Sequence, residues 1–209
     1  MRVFKFGGAS VKDVAGVQNV VRVLQEVGHK DTLIVVSAMG KTTNALEEVV
    51  HSFFDSDSTH IPHLETVRQN HHRIIANLFE TDAKAITQKV DVLFEGVLSF
   101  LATTDADDYS LVYDQVVSVG ELISTTIISD YMKREGIKNT WLDARECIKT
   151  DAYFRDANLY WTDTEESIKQ AVNGKSTIIS QGFIGSASNG LSTTLGREGS
   201  DYSAAIFAY

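Results

Sequence analysis

The chain contains 209 residues, 43% of them hydrophobic, and has a formal net charge of −9 at neutral pH. This composition is typical of a folded domain, and the acidic balance disfavours nucleic acid and membrane surfaces as partners, because both are anionic. A single cysteine, Cys147, excludes an internal disulfide, and we expect no membrane-spanning run, so the sequence predicts a cytoplasmic protein with a small-molecule ligand.

The first predicted strand is a short apolar run over residues 3–6 that contains Lys5 and ends at Gly7 and Gly8. Apolar residues at helical spacing follow over residues 14–24, so the pattern predicts a strand, a glycine turn and a helix. Backbone N–H groups in such a turn bind anions, and a lysine between two phenylalanines needs water or an anion to stay charged. The turn is therefore a candidate anion site, with a solvated strand position as the alternative for Lys5.

A second strand is predicted over residues 32–37, because its continuous apolar character is typical of a parallel strand buried on both faces. The polar turn after it contains Ser37, Thr42 and Thr43, and a helix is predicted over residues 45–54. The turn lacks the first glycine of a P-loop. We interpret its hydroxyl groups as ligand donors at a strand end, with helix capping as the alternative for Thr43 and Asn44.

Residues 56–134 show no strand pattern and are predicted to form a helical insertion, with helices near 64–78, 86–101 and 111–132. The first part of this segment contains four histidines without cysteine or acidic partners at ligand spacing. We interpret them as solvated or core-edge residues and predict no metal site: His60, His63, His71 and His72.

The third predicted helix contains Gly120 followed by Glu121 inside an apolar stretch. A glycine within a helix costs roughly 1 kcal/mol of stability unless close packing or a ligand requires the space. Glu121 is therefore a candidate partner for an ammonium group, and the alternative is a solvent-facing glutamate.

Further strands are predicted over residues 140–143, 158–161 and 177–181, with a helix over residues 163–172. Alternating strands and helices predict an α/β fold with a mainly parallel open sheet sandwiched by helices. Ligands in such folds bind beyond the carboxyl ends of the strands, which is where the glycine and hydroxyl turns lie.

A glycine-rich loop follows the last of these strands, with Gly196 and Gly199 on either side of Arg197. Ser200 and Asp201 then begin a predicted helix. Glycines let a ligand approach the backbone, a helix N-terminus attracts anionic oxygens, and arginine binds a carboxylate through two parallel hydrogen bonds. The loop is a second candidate anion site, and the alternative is an ordinary connection with a surface arginine.

Four sequence blocks, residues 5–8, 37–44, 119–122 and 181–202, together resemble the aspartokinase branch of the amino acid kinase family. Aspartokinases phosphorylate the β-carboxylate of L-aspartate with MgATP, the first step toward lysine, threonine and methionine. The resemblance implies an amino acid kinase fold, L-aspartate as substrate, and ATP with Mg²⁺ as cofactors. It leaves homo-oligomeric assembly open.

The resemblance also implies which residues take part in phosphoryl transfer. Lys5 would neutralise the transferring phosphoryl group, and Asp201 would hold Lys5 in place. The nucleotide phosphates would contact Gly7, Gly8 and Ser10.

For the substrate, the resemblance implies a pocket lined by Ser37 and Thr43. Glu121 would bind the ammonium group of L-aspartate. Arg197 and Ser200 would bind its α-carboxylate.

The chain departs from the family pattern at Ala9, where threonine is usual, and at Glu198, where glycine is frequent. The family's nucleotide-binding half and regulatory domains would follow residue 209, and residues 205–209 form an apolar helical run without a stop signal. We therefore expect residues 1–209 to be the substrate-binding part of a truncated catalytic domain, inactive as a kinase alone.

Two other functions remain open at this point. An amino acid kinase acting on glutamate or carbamate would keep the turn at Lys5 but not the pair formed by Glu121 and Arg197. A catalytically silent amino-acid-binding module would bind the amino acid without transferring a phosphoryl group.

Overall fold

The computed structural model describes residues 1–55, 59–105 and 107–209. Residues 56–58 and 106, which belong to the predicted helical insertion, lie outside the described residues. The described chain forms a four-stranded sheet and a three-stranded sheet, with α-helices packed around them.

The main sheet consists of four parallel strands in the order β1-β2-β5-β3. Their bounds are Arg2–Phe6 for β1, Thr32–Val36 for β2, Thr140–Leu142 for β3 and Thr177–Gln181 for β5. Every residue of the two central strands, β2 and β5, is buried, as expected for parallel strands covered on both faces. The parallel arrangement brings the carboxyl ends of β1, β2 and β5 to the same edge.

Helices cover both faces of the main sheet, and the alternation of side chains along β2 shows which helices cover each face. Ile34 belongs to the hydrophobic cluster that includes residues of α1 and α6, whereas Leu33 belongs to the cluster with residues of α8 and α9. These helices are α1 (Val14–Val27), α6 (Val119–Arg134), α8 (Trp161–Val172) and α9 (Gly199–Ala208). The predicted sheet sandwiched by helices is confirmed.

The segment predicted as a helical insertion contains α-helices and no strand among its described residues. Its first three helices are α3 (His60–Phe79), α4 (Ala83–Thr103) and α5 (Tyr109–Val117), and α6 is the fourth. Helices α3, α5 and α6 pack against α2 (Thr42–Phe54), which precedes the segment, and α4 packs against α3 and α6. The helix predicted over 111–132 is two helices separated at Ser118, whose hydroxyl donates to the carbonyl of Gln115.

One stretch of the described chain, Tyr109–Arg134, is long and apolar enough to cross a membrane by length and composition alone. The expectation that no run reaches this length is therefore wrong. Of its most apolar window, 83% is buried inside the fold, and α6 packs against β2 and β5. Its hydrophobicity is thus explained by its place in the core.

The three-stranded sheet was not predicted, and it consists of β4 (Lys149–Thr150), β6 (Ile184–Ala187) and β7 (Ser192–Thr194). Strand β6 pairs parallel with β4 and antiparallel with β7. A short helix, α7 (Ala144–Cys147), precedes β4. These strands have two to four residues and many serines and threonines, so they lack the apolar alternation that identifies a strand.

The strand predicted over residues 158–161 is wrong. Only Leu159 pairs, through an isolated bridge to Thr150, and Trp161 already begins α8. The aromatic and branched residues that suggested a strand form instead the connection into a helix, because tertiary context overrides a weak local propensity.

Candidate functional site

The predicted ligand residues meet at the carboxyl ends of β1, β2 and β5, beside the N-terminus of α9. A cavity of about 290 Å³ opens there. Most of the residues predicted to bind substrate or phosphate line it: Lys5, Gly7, Gly8, Ser37, Thr43, Glu121, Ser200 and Asp201. Strand ends, turns and helix starts far apart in sequence therefore meet at one edge of the parallel sheet.

At the end of β1, Lys5 forms an ion pair with Asp201, with its Nζ atom 3.0 Å from Oδ2. Lys5 lies on β1 and Asp201 in the first turn of α9, so the contact joins the sheet to the helix. Both side chains remain partly exposed, at 27% and 63%. The lysine is thus held at the cavity while it stays accessible to an anionic ligand.

The glycine turn after β1 approaches the turn after β2 so closely that only glycine fits. A Cβ atom on Gly8 would lie 2.7 Å from the carbonyl oxygen of Ala38, and the Gly8 carbonyl accepts a hydrogen bond of 3.0 Å from the Gly40 amide. A Cβ atom on Gly7 would lie 3.4 Å from Nζ of Lys5. Ser10 is exposed and does not line the cavity; its amide donates to the Gly7 carbonyl.

Glu121 is the most unusual residue of the cavity, because its side chain is buried with an exposed fraction of only 2%. Its Oε1 atom accepts a hydrogen bond of 3.3 Å from the amide of Ala38, and its Oε2 atom is buried without a hydrogen-bond partner. Burial raises the pKa of Glu121 to about 8, against the opposing effect of the Ala38 amide. The interpretation of Glu121 as a solvent-facing residue is wrong.

Close packing of α6 explains why Gly120 precedes this glutamate. A Cβ atom on Gly120 would lie 3.2 Å from side-chain atoms of three residues: Ala38, Thr42 and Leu46. The glycine therefore lets the start of α6 lie against the turn after β2 and the first turn of α2. This approach brings Glu121 within reach of the Ala38 amide.

The hydroxyl residues after β2 have different surroundings. Thr43 is half-buried and lines the cavity, as does Ser37, whose carbonyl accepts a hydrogen bond of 2.8 Å from the hydroxyl of Ser124. The hydroxyl of Thr42 donates to the Met39 carbonyl at 2.7 Å and lies outside this cavity. Of the three hydroxyls proposed as ligand donors, Thr42 therefore serves the local backbone.

The loop before α9 is compact and has unusual backbone angles. Gly196 and Glu198 have φ angles of 72° and 56°, in the left-handed region. A Cβ atom on Gly182 would lie within 2.8 Å of Ser200, so the end of β5 touches the start of α9 directly. Arg197 is exposed and is not among the residues that line the cavity.

Histidines were not predicted to form a metal site, and three of the four that were considered have separate hydrogen-bond partners. His71 is buried, with Nδ1 2.8 Å from the Val67 carbonyl, and burial lowers its pKa. His72 lies 2.8 Å from Asp91, and His63 lies 2.9 Å from Ser52. The described residues contain no cluster of three or more potential metal ligands.

Sequence reasoning missed Asp114, which lies on α5 and is a second buried carboxylate besides Glu121. It accepts hydrogen bonds from the amide of Thr194 at 2.8 Å, from the Thr194 hydroxyl at 2.7 Å and from the amide of Arg155 at 3.0 Å. Burial raises its pKa to about 6, and these hydrogen bonds oppose that shift. An aspartate among valines in a helix, between Val112 and Val116, was the available signal.

The cavity offers two kinds of electrostatic environment. Glu121 places a buried carboxyl group in its lining, and Lys5 with the backbone N–H groups of the glycine turn supplies a cationic region. A ligand that has an ammonium group and an anionic group matches this arrangement. Amino acids and their phosphorylated derivatives belong to that class.

Comparison with known proteins gives the family and its relatives. The profile of the amino acid kinase family matches residues 1–209. The chain is 31% identical over 211 residues to the bifunctional aspartokinase/homoserine dehydrogenase 2 of Escherichia coli strain K12, an alignment that covers 97% of this chain and 25% of that protein.

The fold also matches two crystal structures of E. coli aspartokinase III. The TM-score is 0.90 for its complex with lysine and aspartate and 0.89 for its complex with aspartate and ADP. In both cases the identity is 27%, and the match covers 100% of this chain and 46% of the other. The chain thus spans less than half the length of these relatives.

Proposed function

The chain belongs to the amino acid kinase family, and we propose that it is the substrate-binding part of an aspartokinase. In this proposal the complete enzyme transfers a phosphoryl group from MgATP to the β-carboxylate of L-aspartate, in the synthesis of lysine, threonine and methionine. The relatives named aspartokinase and the structures with aspartate and ADP support the proposal. The free thiol of Cys147 supports a reducing compartment, the cytoplasm.

The observation that carries the proposal is the buried, unpartnered Oε2 atom of Glu121 at the cavity. A carboxylate without a partner is costly to bury, so its retention indicates a ligand that supplies the missing charge. An ammonium group does this directly. Glu121 would therefore bind the ammonium group of L-aspartate, with Ser37 and Thr43 beside the substrate.

The α-carboxylate of L-aspartate would bind Ser200 and Arg197 at the N-terminus of α9. Ser200 already lines the cavity, but Arg197 is exposed and would have to turn toward the substrate on binding. A long, exposed side chain can make such a change at small energetic cost. Arg197→Ala should then raise the KM for L-aspartate in the complete enzyme, and Arg197→Lys should not restore it, because the planar fork is lost.

Lys5 would stabilise the phosphoryl group during transfer, held in position by Asp201. The glycine turn would bind the phosphate through its backbone N–H groups, because Gly7 and Gly8 have no side chains to hold a ligand away from the backbone. Gly7 and Ser10 belong to the same turn. Lys5→Ala should lower kcat far more than it raises the KM for L-aspartate, since its charge is needed where negative charge moves.

MgATP would supply the phosphoryl group at this turn, with Mg²⁺ neutralising phosphate charge. Among the described residues, the cavity presents a single lysine, Lys5, for a triphosphate. We therefore propose that residues 1–209 alone bind L-aspartate but transfer no phosphoryl group at a measurable rate. A coupled assay of ADP release on this chain tests that part: aspartate-dependent turnover at ordinary kinase rates would contradict it.

Isothermal titration calorimetry with L-aspartate, L-glutamate and ATP tests the substrate. The proposal predicts binding of L-aspartate and at least tenfold weaker binding of L-glutamate, a difference of about 1.4 kcal/mol. Preference for L-glutamate would favour another amino acid kinase. Binding of L-aspartate by a complete enzyme that never transfers phosphate would favour a silent binding module.

A further inference from the structure

A buried hydrogen-bond network lies behind the loop that contains Arg197. Its centre is Asp114, whose exposed fraction is 0%. Its carboxylate accepts hydrogen bonds from the amide and the hydroxyl of Thr194, which is the last residue of β7. It also accepts a hydrogen bond from the amide of Arg155. Three segments separated by at least 39 residues along the chain are thus held at a single side chain.

The segment around Arg155 also contacts the loop that contains Arg197. Gly196 follows Thr194 by two residues, and a Cβ atom on Gly196 would lie 2.4 Å from Oδ1 of Asp156. Arg155 has a φ angle of 72°, which is unfavourable for a residue with a side chain. The hydrogen bond from its amide to Asp114 stabilises the turn that packs against Gly196.

Arg155 extends the same network toward α2. Its guanidinium group lies 4.3 Å from the ring centroid of Tyr113 and 3.4 Å from Oε1 of Glu47. Glu47 lies one helical turn after Thr43, which lines the cavity. The network therefore contacts the loop before α9, which lines the candidate site, and α2 one helical turn beyond Thr43.

We propose that Asp114 is a positioning residue that fixes the loop of Arg197 for binding the α-carboxylate of the substrate. This inference rests on the proposed function for the identity of the ligand, but its structural part stands on the network alone. Asp114 forms no ion pair among the described residues, so the three donors are what stabilise its carboxylate. Loss of the carboxylate leaves the donors of two segments unsatisfied and releases the loop.

The first test is amide hydrogen exchange of residues 195–199 without any ligand. Asp114→Ala should accelerate exchange in this loop selectively, whereas Arg197→Ala should leave it unchanged. Thr194→Val, which keeps the side-chain shape and removes one of the three donors, should give a smaller effect in the same residues. Unchanged exchange in both network variants would overturn the proposal, whether or not the chain binds L-aspartate.

The second test is a double-mutant cycle on the affinity for L-aspartate, measured by calorimetry. Asp114→Ala should weaken binding by roughly 10- to 100-fold, because a displaced binding group loses most of its contribution. The double variant with Arg197→Ala should bind no more weakly than the weaker single variant. Additive losses would show that Asp114 does not act through Arg197 and would overturn the proposal.

A matched control separates positioning from general loss of stability. Asn139→Ala removes a polar network with Ser129 at the other end of α6, away from the cavity. It should lower the melting temperature without changing the affinity for L-aspartate. Equal losses of affinity in Asn139→Ala and in Thr194→Val would contradict a specific role for Asp114. Failure of the wild-type chain to bind L-aspartate would refute the proposed function, and hydrogen exchange would still decide the role of Asp114.

Discussion

Two buried carboxylates lie seven residues apart, one on each of two consecutive helices, and their surroundings differ. Asp114, on α5, accepts three hydrogen bonds. Glu121, on α6, accepts one from the Ala38 amide, and its second oxygen has no partner beside the cavity. Burial raises the pKa of both, to about 6 for Asp114 and about 8 for Glu121.

The difference separates a structural carboxylate from a ligand-binding one. Donors from the protein satisfy Asp114 and join three segments, so its hydrogen bonds stabilise the fold although burial makes the ionised form costly. Glu121 has kept an unsatisfied oxygen at a cavity, which destabilises the fold and leaves capacity for a cationic ligand. Removing each carboxylate should therefore have opposite consequences for stability and different consequences for binding.

The largest expected effect is on ligand affinity at Glu121. Glu121→Gln should weaken L-aspartate binding by about 100-fold or more, because an ion pair with the substrate ammonium is lost in a buried site. Glu135→Gln, which removes an exposed charge at the end of the same helix, is the matched control. Calorimetric affinities within threefold of wild type for Glu121→Gln would remove this residue from the site.

The next effect is on stability and should distinguish the two carboxylates. Asp114→Ala should lower the free energy of unfolding by about 3 kcal/mol, because buried donors lose their acceptor. Glu121→Gln should leave it unchanged or raise it, since a buried carboxyl group with an unsatisfied oxygen disappears. Denaturant unfolding of both variants measures this. A stability loss at Glu121 as large as that at Asp114 would contradict the comparison.

A single glycine tests the packing that buries Glu121. Gly120→Ala should cost about 1 kcal/mol, because the new Cβ atom would meet three side chains at 3.2 Å. Gly96→Ala on α4 is the matched control: a Cβ atom there meets nothing within 4 Å, so alanine should stabilise the helix by up to about 1 kcal/mol. Thermal melting compares the two, and equal shifts of the same sign would argue against close packing at Gly120.

A further effect is the dependence of stability on pH. The pKa of Glu121 is raised from 4.5 to about 8, so its contribution to stability is fully present below pH 4.5 and is lost as the pH rises through 8. Unfolding measured at pH 5, 7 and 9 should show this decline in the wild type. In Glu121→Gln the decline should be smaller, and an identical pH profile would place the titration elsewhere.

The parts of the fold with strong local signals could be predicted from the sequence. Strands β1, β2 and β5 have continuous apolar runs, and their parallel arrangement determines where the turns after them meet. The second sheet could not be predicted, because β4, β6 and β7 are short and rich in serine and threonine. Their pairing is decided by long-range contacts.

Most residues of the candidate site could be named from the sequence, but their burial and their exact positions could not. The apolar helix around Gly120 and the family resemblance both pointed to Glu121, whereas its burial depends on contacts of Gly120 with residues about 80 positions away. Asp114 was missed for the same reason, since its partner Thr194 is 80 residues distant. Arg197 was selected for its chemistry, and its place outside the cavity follows from a loop geometry that residue types alone do not specify.

Proton release on binding of L-aspartate tests the central claim most directly. At pH 7 the carboxyl of Glu121, with a pKa of about 8, is mostly protonated, and pairing with an ammonium group requires the ionised form. Calorimetry in phosphate and Tris buffers, which differ in ionisation enthalpy, should therefore show the release of close to one proton in the wild type. In Glu121→Gln, titrated at higher ligand concentration, the release should be absent. Binding by the wild type without proton release, or with the same release in Glu121→Gln, would contradict the assignment of Glu121 as the ammonium-binding group.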